Sequence, residues 1–333
     1  VSLLEARQHA LSNKQLLGKK IDPIDEKNRA EVLRQQQSKK FSDIANLYIE
    51  TKKKPEWTNP KSEQQWRNTI TTYVSPILDS KPLNDINRND IISVLHPIWR
   101  DKTETARRIQ QRLFLIFAFA KIREWYTHDN PASWKEHLSF ILPDPYLIKK
   151  VKHHASLKFT EVAKFYEELC KFEMLSAYAL RLLILTATRT KEVIESQFEE
   201  FDLQRKMWTI PANKMKVKKK HKVPLSNEAI SIIELMRKKH NHEYVFTNPA
   251  TGRHISNGAM LIFLKKQFPH LKITVHGFRS SFRDWAEEIG QYQHNAIEFC
   301  LAHELPNKVE KAYLRTDLIE QRTKIMNDWE KYL

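Results

Sequence analysis

The sequence predicts a mainly α-helical fold with a small β component, on three observations. Apolar residues recur at three- and four-residue spacing through most of the chain, glycine is scarce, and one stretch alternates as a hairpin would. The 5 glycines among 333 residues (Gly18, Gly252, Gly258, Gly277 and Gly290) are too few for a turn-rich sandwich or barrel. At roughly 150 residues per domain, this length suggests two domains and an extra segment.

The elements follow in order. Ser2-Leu3-Leu4-Glu5 is a capping box, so residues 2–17 form a helix that Gly18 stops. Asp22-Pro23 leads into a second, polar helix reaching about Gln37. Such a pair has too little apolar surface to fold alone. Residues 1–37 therefore read as the tail of an N-terminal domain and a linker, the body of that domain preceding Val1.

Residues 38–150 read as a helical bundle. Phe41, Ile44, Ala45 and Tyr48 mark one helix, and Asn59-Pro60 opens another with Trp66, Ile70 and Tyr73. Asn87 opens a third with Ile91, Val94, Leu95 and Ile98; from Thr103 a longer helix places Ala106, Ile109, Leu113, Phe117 and Ala120 on one face. The exposed sides of this bundle are expected to carry Lys52, Lys53, Lys54, Arg107, Arg108 and Arg112, cations that would meet phosphates.

Pro143-Asp144-Pro145 and the charge run Lys149-Lys150-Val151-Lys152-His153-His154 read as a linker into a second body, residues 151–333. There the pattern predicts helices at about 160–172 and 174–187, then strands Met207–Pro211 and His221–Leu225. Helices at about 226–239, 256–268, 276–289, 295–302, 306–315 and 317–331 complete it. Leu318, Ile319, Ile325, Met326, Trp329 and Leu333 give the last helix an apolar face, to be docked on its own domain or on a neighbouring molecule.

Charge narrows the function. Lys and Arg number 56 against 40 Asp and Glu, a net +16 with a pI near 9.6, which makes a polyanion the default partner. Residues 1–37, 38–155 and 156–333 carry +2, +7 and +7, so both bodies are basic. No glycine lies in a GxGxxG or GKS/GKT pattern, which removes support for a dinucleotide fold or a P-loop. Cys170 and Cys300 are 130 residues apart and outside any CxxC or Cys/His cluster, so neither a disulfide framework nor a structural zinc is expected, and a reducing cytosol fits. No apolar run approaches the roughly 20 residues a bilayer span needs.

Four constellations in the second body could carry chemistry. The apolar run ending Thr186-Ala187-Thr188-Arg189 has Glu192 three residues on; the arginine can aim a rigid fork at a phosphate, or form an ion pair tying two helices. In the stretch Lys214 to Lys222, crowding by like charges can ready a lysine as a proton donor, although a solvated turn has the same composition. His276 and Arg279 share one side of a helix start, where one could exchange a proton and the other hold an oxyanion. Leu301-Ala302-His303 is followed by Tyr313, which is a covalent nucleophile if its hydroxyl faces a held electrophile and a half-buried core tyrosine otherwise.

Taken together and in this order, the features resemble the tyrosine recombinase family, specifically integrases of prophages and genomic islands. Lys54-Pro55-Glu56-Trp57, Gln65-Trp66, Pro97-Ile98-Trp99, Lys102-Thr103-Glu104-Thr105-Ala106 and Asn130-Pro131-Ala132 are similar to the family's core-binding domain. Thr186 to Arg189, Trp208-Thr209-Ile210-Pro211, Val223-Pro224-Leu225, His276-Gly277-Phe278-Arg279, Leu301-Ala302-His303 and Ala312-Tyr313 are similar to its catalytic domain. The resemblance implies a helical core-binding domain followed by an α+β catalytic domain. It implies that Arg189 and Arg279 clamp the scissile phosphate, supported by Glu192. Lys216, eight residues before Pro224, would protonate the leaving 5′ oxygen, with Lys214 and Lys218 as rivals, while Lys218, Lys219 and Lys220 would touch DNA. His276 would assist proton transfer, His303 would bond the oxyanion, and Tyr313 would form a 3′-phosphotyrosyl bond. Thr188 and Thr190-Lys191 depart from the family, where many members have glycine before the arginine and Pro-Gly or a similar pair after it.

No cofactor or metal is implied, because a covalent phosphotyrosine stores the ester bond and strand exchange needs no ATP. The implied partners are double-stranded attachment sites, three further copies in a homotetramer on synapsed DNA, and an accessory DNA-bending or excision factor, all in the bacterial cytoplasm. Three rivals are a DNA-binding module without chemistry, a type IB topoisomerase, and a metal-dependent nuclease built on His240-Asn241-His242 or His153-His154. The lysines beside both histidine pairs favour exposed histidines over ligands.

Overall fold

A computed structural model describes residues 2–28, 39–57, 60–148, 155–303 and 316–333. The chain divides into two compact units, Val1–Val151 and Lys152–Leu333. Among the described residues, no helix is long and apolar enough to cross a membrane.

The first unit begins with α1 (Leu3–Gly18), closed at its start by the expected capping box: the Glu5 amide donates to Ser2 Oγ at 3.3 Å and the Ser2 amide to Glu5 Oε2 at 2.7 Å. None of its side chains is buried. Helix continues at 23–28, and the rest of the polar helix expected up to Gln37 lies outside the described residues. Then α2 (Phe41–Tyr48) buries Phe41, Ile44, Ala45 and Tyr48, the spacing that identified it, and widens into a π-helical turn at Ile49–Lys53. The same widening, at Ile70–Val74, follows α3 (Pro60–Thr69). Asn87 caps α4 (Arg88–Trp99), accepting from the Asn89 amide at 2.9 Å. The long α5 (Thr103–Ile122) lays Ala106, Ile109, Leu113, Ile116, Phe117 and Ala120 into a core shared with Phe41, Ile91 and Leu95.

One expectation fails in this unit. Arg112 is not on an exposed side but 6% exposed, its guanidinium 4.8 Å over the Trp66 ring and hydrogen-bonded to the Gln65 carbonyl at 3.1 Å and to the Thr69 hydroxyl. Three residues after Ile109 and four before Ile116, it lies on the apolar face, where its stem packs and its fork finds fixed acceptors. Burial pushes its pKa down to about 10.

In the second unit α6 (Phe159–Leu169) precedes α7 (Leu175–Thr186), which is buried nearly all round from Ala177 to Thr186 except at Arg181. Such a helix must be the centre of its domain. After α8 (Thr190–Ile194) comes an antiparallel sheet in the order β1 (Phe201–Asp202), β2 (Met207–Ile210), β3 (His221–Pro224), with Phe201 opposite Trp208 and Ile210 opposite His221. The two longer strands fall where the pattern placed them; β1 was not predicted, because two residues show no alternation. Helices α9 (Asn227–Lys239), α10 (Ala259–Gln267), α11 (Gly277–Glu288), α12 (His294–Cys300) and α13 (Ile319–Tyr332) complete the unit. The helix expected at 306–315 lies outside the described residues.

The last helix docks on its own unit. In α13, Ile325, Met326 and Trp329 are buried, and the Trp329 indole donates to the Ile184 carbonyl of α7 at 2.9 Å beside Phe282 and Trp285. Trp329→Ala is therefore expected to lower the unfolding free energy by about 3–5 kcal/mol. Urea denaturation followed by circular dichroism measures this, and an unchanged midpoint would show that the helix contributes nothing to its own unit.

Candidate active site

The site is built where two helices end. Helix α7 stops at Ala187, whose φ of 49° is left-handed and turns the chain so that Thr188 is buried and Arg189 leaves in an extended conformation to cap α8. Ala302, just past α12, has the same φ of 49°. For a residue with a Cβ this conformation costs of order 1–3 kcal/mol, and it persists only where surroundings over-determine it. Here the surroundings are arginines. Arg279 Nη1 donates to the Ala187 carbonyl, and Arg189 Nη2 donates to the Ala302 carbonyl at 3.3 Å.

The two guanidiniums meet at one atom. Arg279 Nη2 donates to the Leu301 carbonyl at 2.6 Å and Arg189 Nη2 to the same oxygen at 3.5 Å. Glu192, 4% exposed, takes the Arg189 amide at 2.7 Å and Nη1 at 2.9 Å, so the ion pair between them is real and fixes the arginine. That leaves Arg189 26% exposed at the mouth and Arg279 4% exposed at the base. Burial, with Arg189 nearby, lowers the Arg279 pKa to about 10, against the opposing charges of Glu192 and Glu298.

His303 joins this pair, with its Nε2 3.3 Å from Arg279 Nη2 and its Nδ1 2.7 Å from Glu298 Oε2. Burial holds His303 below its ordinary value and the two arginines add to this, while Glu298 pulls the other way. His276 stands exposed at the start of α11, its carbonyl accepting from the Arg279 amide at 3.2 Å. Gly277 behind it is required. A Cβ there would collide with the Ala155 carbonyl and lie 2.9 Å from Ser156 Cα, neither of which is a flexible side-chain end.

The remaining expected residues divide clearly. Lys216 is exposed in the loop 211–220 between β2 and β3 and makes no hydrogen bond or ion pair among the described residues. Its rival Lys214 is committed elsewhere, bonded to Glu200, to Gln197 Oε1 at 2.7 Å and to the Glu195 carbonyl at 2.7 Å. Lys218, with a φ of 52°, and Lys219 and Lys220 are exposed on the same loop. Tyr313 lies outside the described residues. In the first unit Lys52 is exposed, Lys53 pairs with Glu56 at 2.7 Å and Lys54 with Glu50 at 2.9 Å; Arg108 pairs with Glu104 at 2.9 Å, and Arg107 stacks 4.9 Å over Tyr146.

Among the described residues, His240 and His242 belong to no cluster of three metal-ligating side chains. His240 Nε2 lies 3.2 Å from the Val245 carbonyl and its ring 5.4 Å from that of His242, an arrangement that anchors a loop; His153 and His154 lie outside the described residues. Among the described residues Glu287, His294 and Glu298 converge, yet Arg283 occupies the position between the acids, 3.3 Å from Glu287 and 2.9 Å from Glu298.

Sequence reasoning missed His221 as a member of this neighbourhood. It occupies an inward position of β3, two residues before the buried Val223, and that alternation was the available signal. Burial pushes its pKa from 6.5 to about 3, with Arg322, Arg189 and Arg279 adding repulsion and a hydrogen bond to the Cys300 backbone opposing. Folded His221 is thus neutral where the unfolded chain is protonated. The unfolded state binds more protons between pH 6.5 and about 3, so stability falls as pH falls through that window. This group contributes up to about 1.4 kcal/mol per pH unit. His221→Gln should flatten the stability-against-pH slope by that amount, measured by urea denaturation from pH 4 to 7, and an unchanged slope would show that His221 titrates normally.

Comparison with known proteins places this geometry. The phage integrase central domain model matches residues 41–137 and the phage integrase family model residues 155–318. The chain is 28% identical over 340 residues to prophage integrase IntZ of Escherichia coli, covering 99% of this chain and 80% of that protein. It is also 28% identical over 346 residues to prophage integrase IntA of the same species, covering 99% and 78%. Among solved structures, a lambda integrase dimer bound to a COC′ core site superposes with a TM-score of 0.65 at 16% identity, covering 94% of this chain and 86% of that one. The Tn1549 transposon integrase in complex with circular intermediate DNA gives 0.65 at 13% identity, covering 86% and 99%. The helical unit, the helix-rich unit with its small sheet, and the paired arginines beside a histidine therefore belong to a member of the phage integrase family, a tyrosine-type site-specific recombinase.

Proposed function

We propose that Arg189, Arg279 and His303 hold one scissile phosphate of an attachment-site duplex and that Tyr313 attacks it, so that the protein integrates and excises a mobile element. The observation that carries this reading is the convergence of both guanidiniums on the Leu301 carbonyl, beside the imidazole edge of His303. Two cations fixed side by side are costly unless an anion sits with them. The phosphorane-like transition state gathers negative charge on the non-bridging oxygens, where such preorganised donors act most strongly.

In the proposed step the Tyr313 oxygen forms a bond to phosphorus as the bond to the 5′ oxygen breaks, leaving a 3′-phosphotyrosyl ester. His276 takes part in moving the tyrosine proton, and Lys216 gives a proton to the leaving 5′ oxygen. A 5′ hydroxyl of the partner strand reverses the step and releases Tyr313 with no net loss of phosphodiester bonds. The loop freedom of Lys216 supports its role over Lys214, whose ammonium is already held by Glu200. Phosphate contacts along the duplex are assigned to Lys52, Lys53, Lys54, Arg107, Arg108, Lys218, Lys219 and Lys220; Arg112 is withdrawn from that set by its burial.

Exchange between two sites needs four active sites. The described similarity to a lambda integrase tetramer bound to a Holliday junction, with a TM-score of 0.65 at 16% identity, supports a homotetramer on synapsed DNA at the level of fold. An accessory DNA-bending or excision factor would set the direction of the reaction.

A nicked suicide duplex carrying the attachment site is expected to trap a covalent adduct, and Tyr313→Phe to abolish it. An adduct that persists in that variant would reassign the nucleophile, and site-independent relaxation of supercoils would redirect the reading to a topoisomerase. Lys216→Ala should slow cleavage of ordinary DNA by about a hundredfold or more, within the range of general-acid effects. A 5′-bridging phosphorothiolate, whose thiolate leaves without a proton, should restore that rate; failure of the rescue would move the acid role to Lys218.

A further inference from the structure

We infer that Glu298 is a positioning residue that makes His303 a charged hydrogen-bond donor once a phosphate occupies the arginine pair, an inference that rests on the function proposed above. Glu298 lies on α12, 12% exposed, and grips His303 twice. Its carboxylate lies 2.7 Å from Nδ1, and its backbone carbonyl accepts the His303 amide at 3.0 Å. The other carboxylate oxygen forms an ion pair with Arg283 Nε of α11 at 2.9 Å. Arg283 in turn reaches Glu287 at 3.3 Å, and His294 Nδ1 lies 3.3 Å from the same carboxylate. These ion pairs hold the carboxylate beside the ring.

The proton inventory then has one solution. An ionised carboxylate only accepts, so Nδ1 of His303 carries a hydrogen. A guanidinium only donates, so Nε2, facing Arg279 Nη2 at 3.3 Å, is an acceptor in this arrangement. That neutral tautomer has nothing to offer a phosphate oxygen. Once a phosphodiester takes over the Arg279 donors, Nε2 can bond the oxyanion only by gaining a second proton, which turns the ring into an imidazolium. Among the described residues, the charged groups facing His303 are Arg189 from the turn before α8, Arg279 from α11 and Glu298 from α12. Two of the three oppose that proton. Of these described residues Glu298 alone favours it, and Arg283 holds Glu298 in place.

The test separates this role from simple structural support. Glu298→Gln keeps the shape and an acceptor oxygen but removes the charge. In DNA-free protein, the titration midpoint of the His303 ring, followed by NMR and assigned through His303→Gln, should fall by about one pH unit in Glu298→Gln. In single-turnover adduct formation on the nicked duplex, the alkaline limb of the rate profile should move acidward by about one unit. The rate would then be about tenfold lower than wild type at pH 8 and close to it at pH 6. In a His303→Ala background, Glu298→Gln should change nothing further. An unmoved His303 midpoint overturns the inference, as does a rate lowered equally at every pH or in both backgrounds. A wild-type chain that forms no adduct at any pH would overturn the phosphoryl-transfer reading instead, and the NMR midpoint would still decide whether Glu298 governs His303.

Discussion

A guanidinium that is almost wholly buried must find fixed acceptors, and the second unit is arranged around supplying them to Arg279. Its partners are the Ala187 and Leu301 carbonyls, which become available only because α7 and α12 each end abruptly. Both chain reversals use an alanine in the left-handed region, at Ala187 and Ala302. A glycine would relieve that strain, so its absence shows that hydrogen bonds to the arginines, together with packing around the turns, suffice to hold the conformation. The departure from the family pattern around Thr188 is accommodated in the same way: Thr186 and Thr188 hydroxyls bond each other at 2.8 Å inside the turn, after which Arg189 extends to the Leu301 carbonyl, held by Glu192.

The terminal helix extends this constraint to the rest of the site. Through Trp329, α13 is bonded to the last turn of α7, three residues before the Ala187 reversal. Through the buried Arg322 it reaches the Lys222 carbonyl on β3, beside His221. One helix therefore braces both the turn that presents Arg189 and the strand that follows the Lys216 loop. In sequence, the segment that carries Tyr313 lies between α12 and this brace.

How much of this was legible in the sequence depends on whether a feature is periodic or local. Helices such as α2 and α5 were readable because burial repeats every three or four residues, and the Arg189–Glu192 bond because it spans one helical turn at a cap. Arg112 was misread because its charge was taken to decide its side, although its spacing from Ile109 and Ile116 put it on the apolar face. The π-helical turns at Ile49–Lys53 and Ile70–Val74 add a residue without breaking the apolar pattern, so periodicity alone does not reveal them. Glu298 escaped notice for a related reason: five residues before His303, it meets the ring only because the helix ends between them and the chain folds back. His221 had a visible alternation with Val223 but was read as one more member of a lysine run.

The same distinction sorts the positive charge. Lys53, Lys54 and Arg108 each sit within 3 Å of a glutamate of their own unit, and exposed pairs of this kind contribute little and are screened by salt. For them a DNA phosphate would replace one anion with another, so a small net contribution to binding is expected. Lys216, Lys218, Lys219 and Lys220 make no ion pair among the described residues, and they crowd one loop. Such unpaired, crowded cations are the ones a polyanion would neutralise without displacing a protein carboxylate. β2 and β3 hold both ends of the loop, and Arg322 anchors β3, the strand that carries His221, through the Lys222 carbonyl. The net charge of +16 thus covers two kinds of cation, surface ones paired with glutamates and a few that are unpaired or buried.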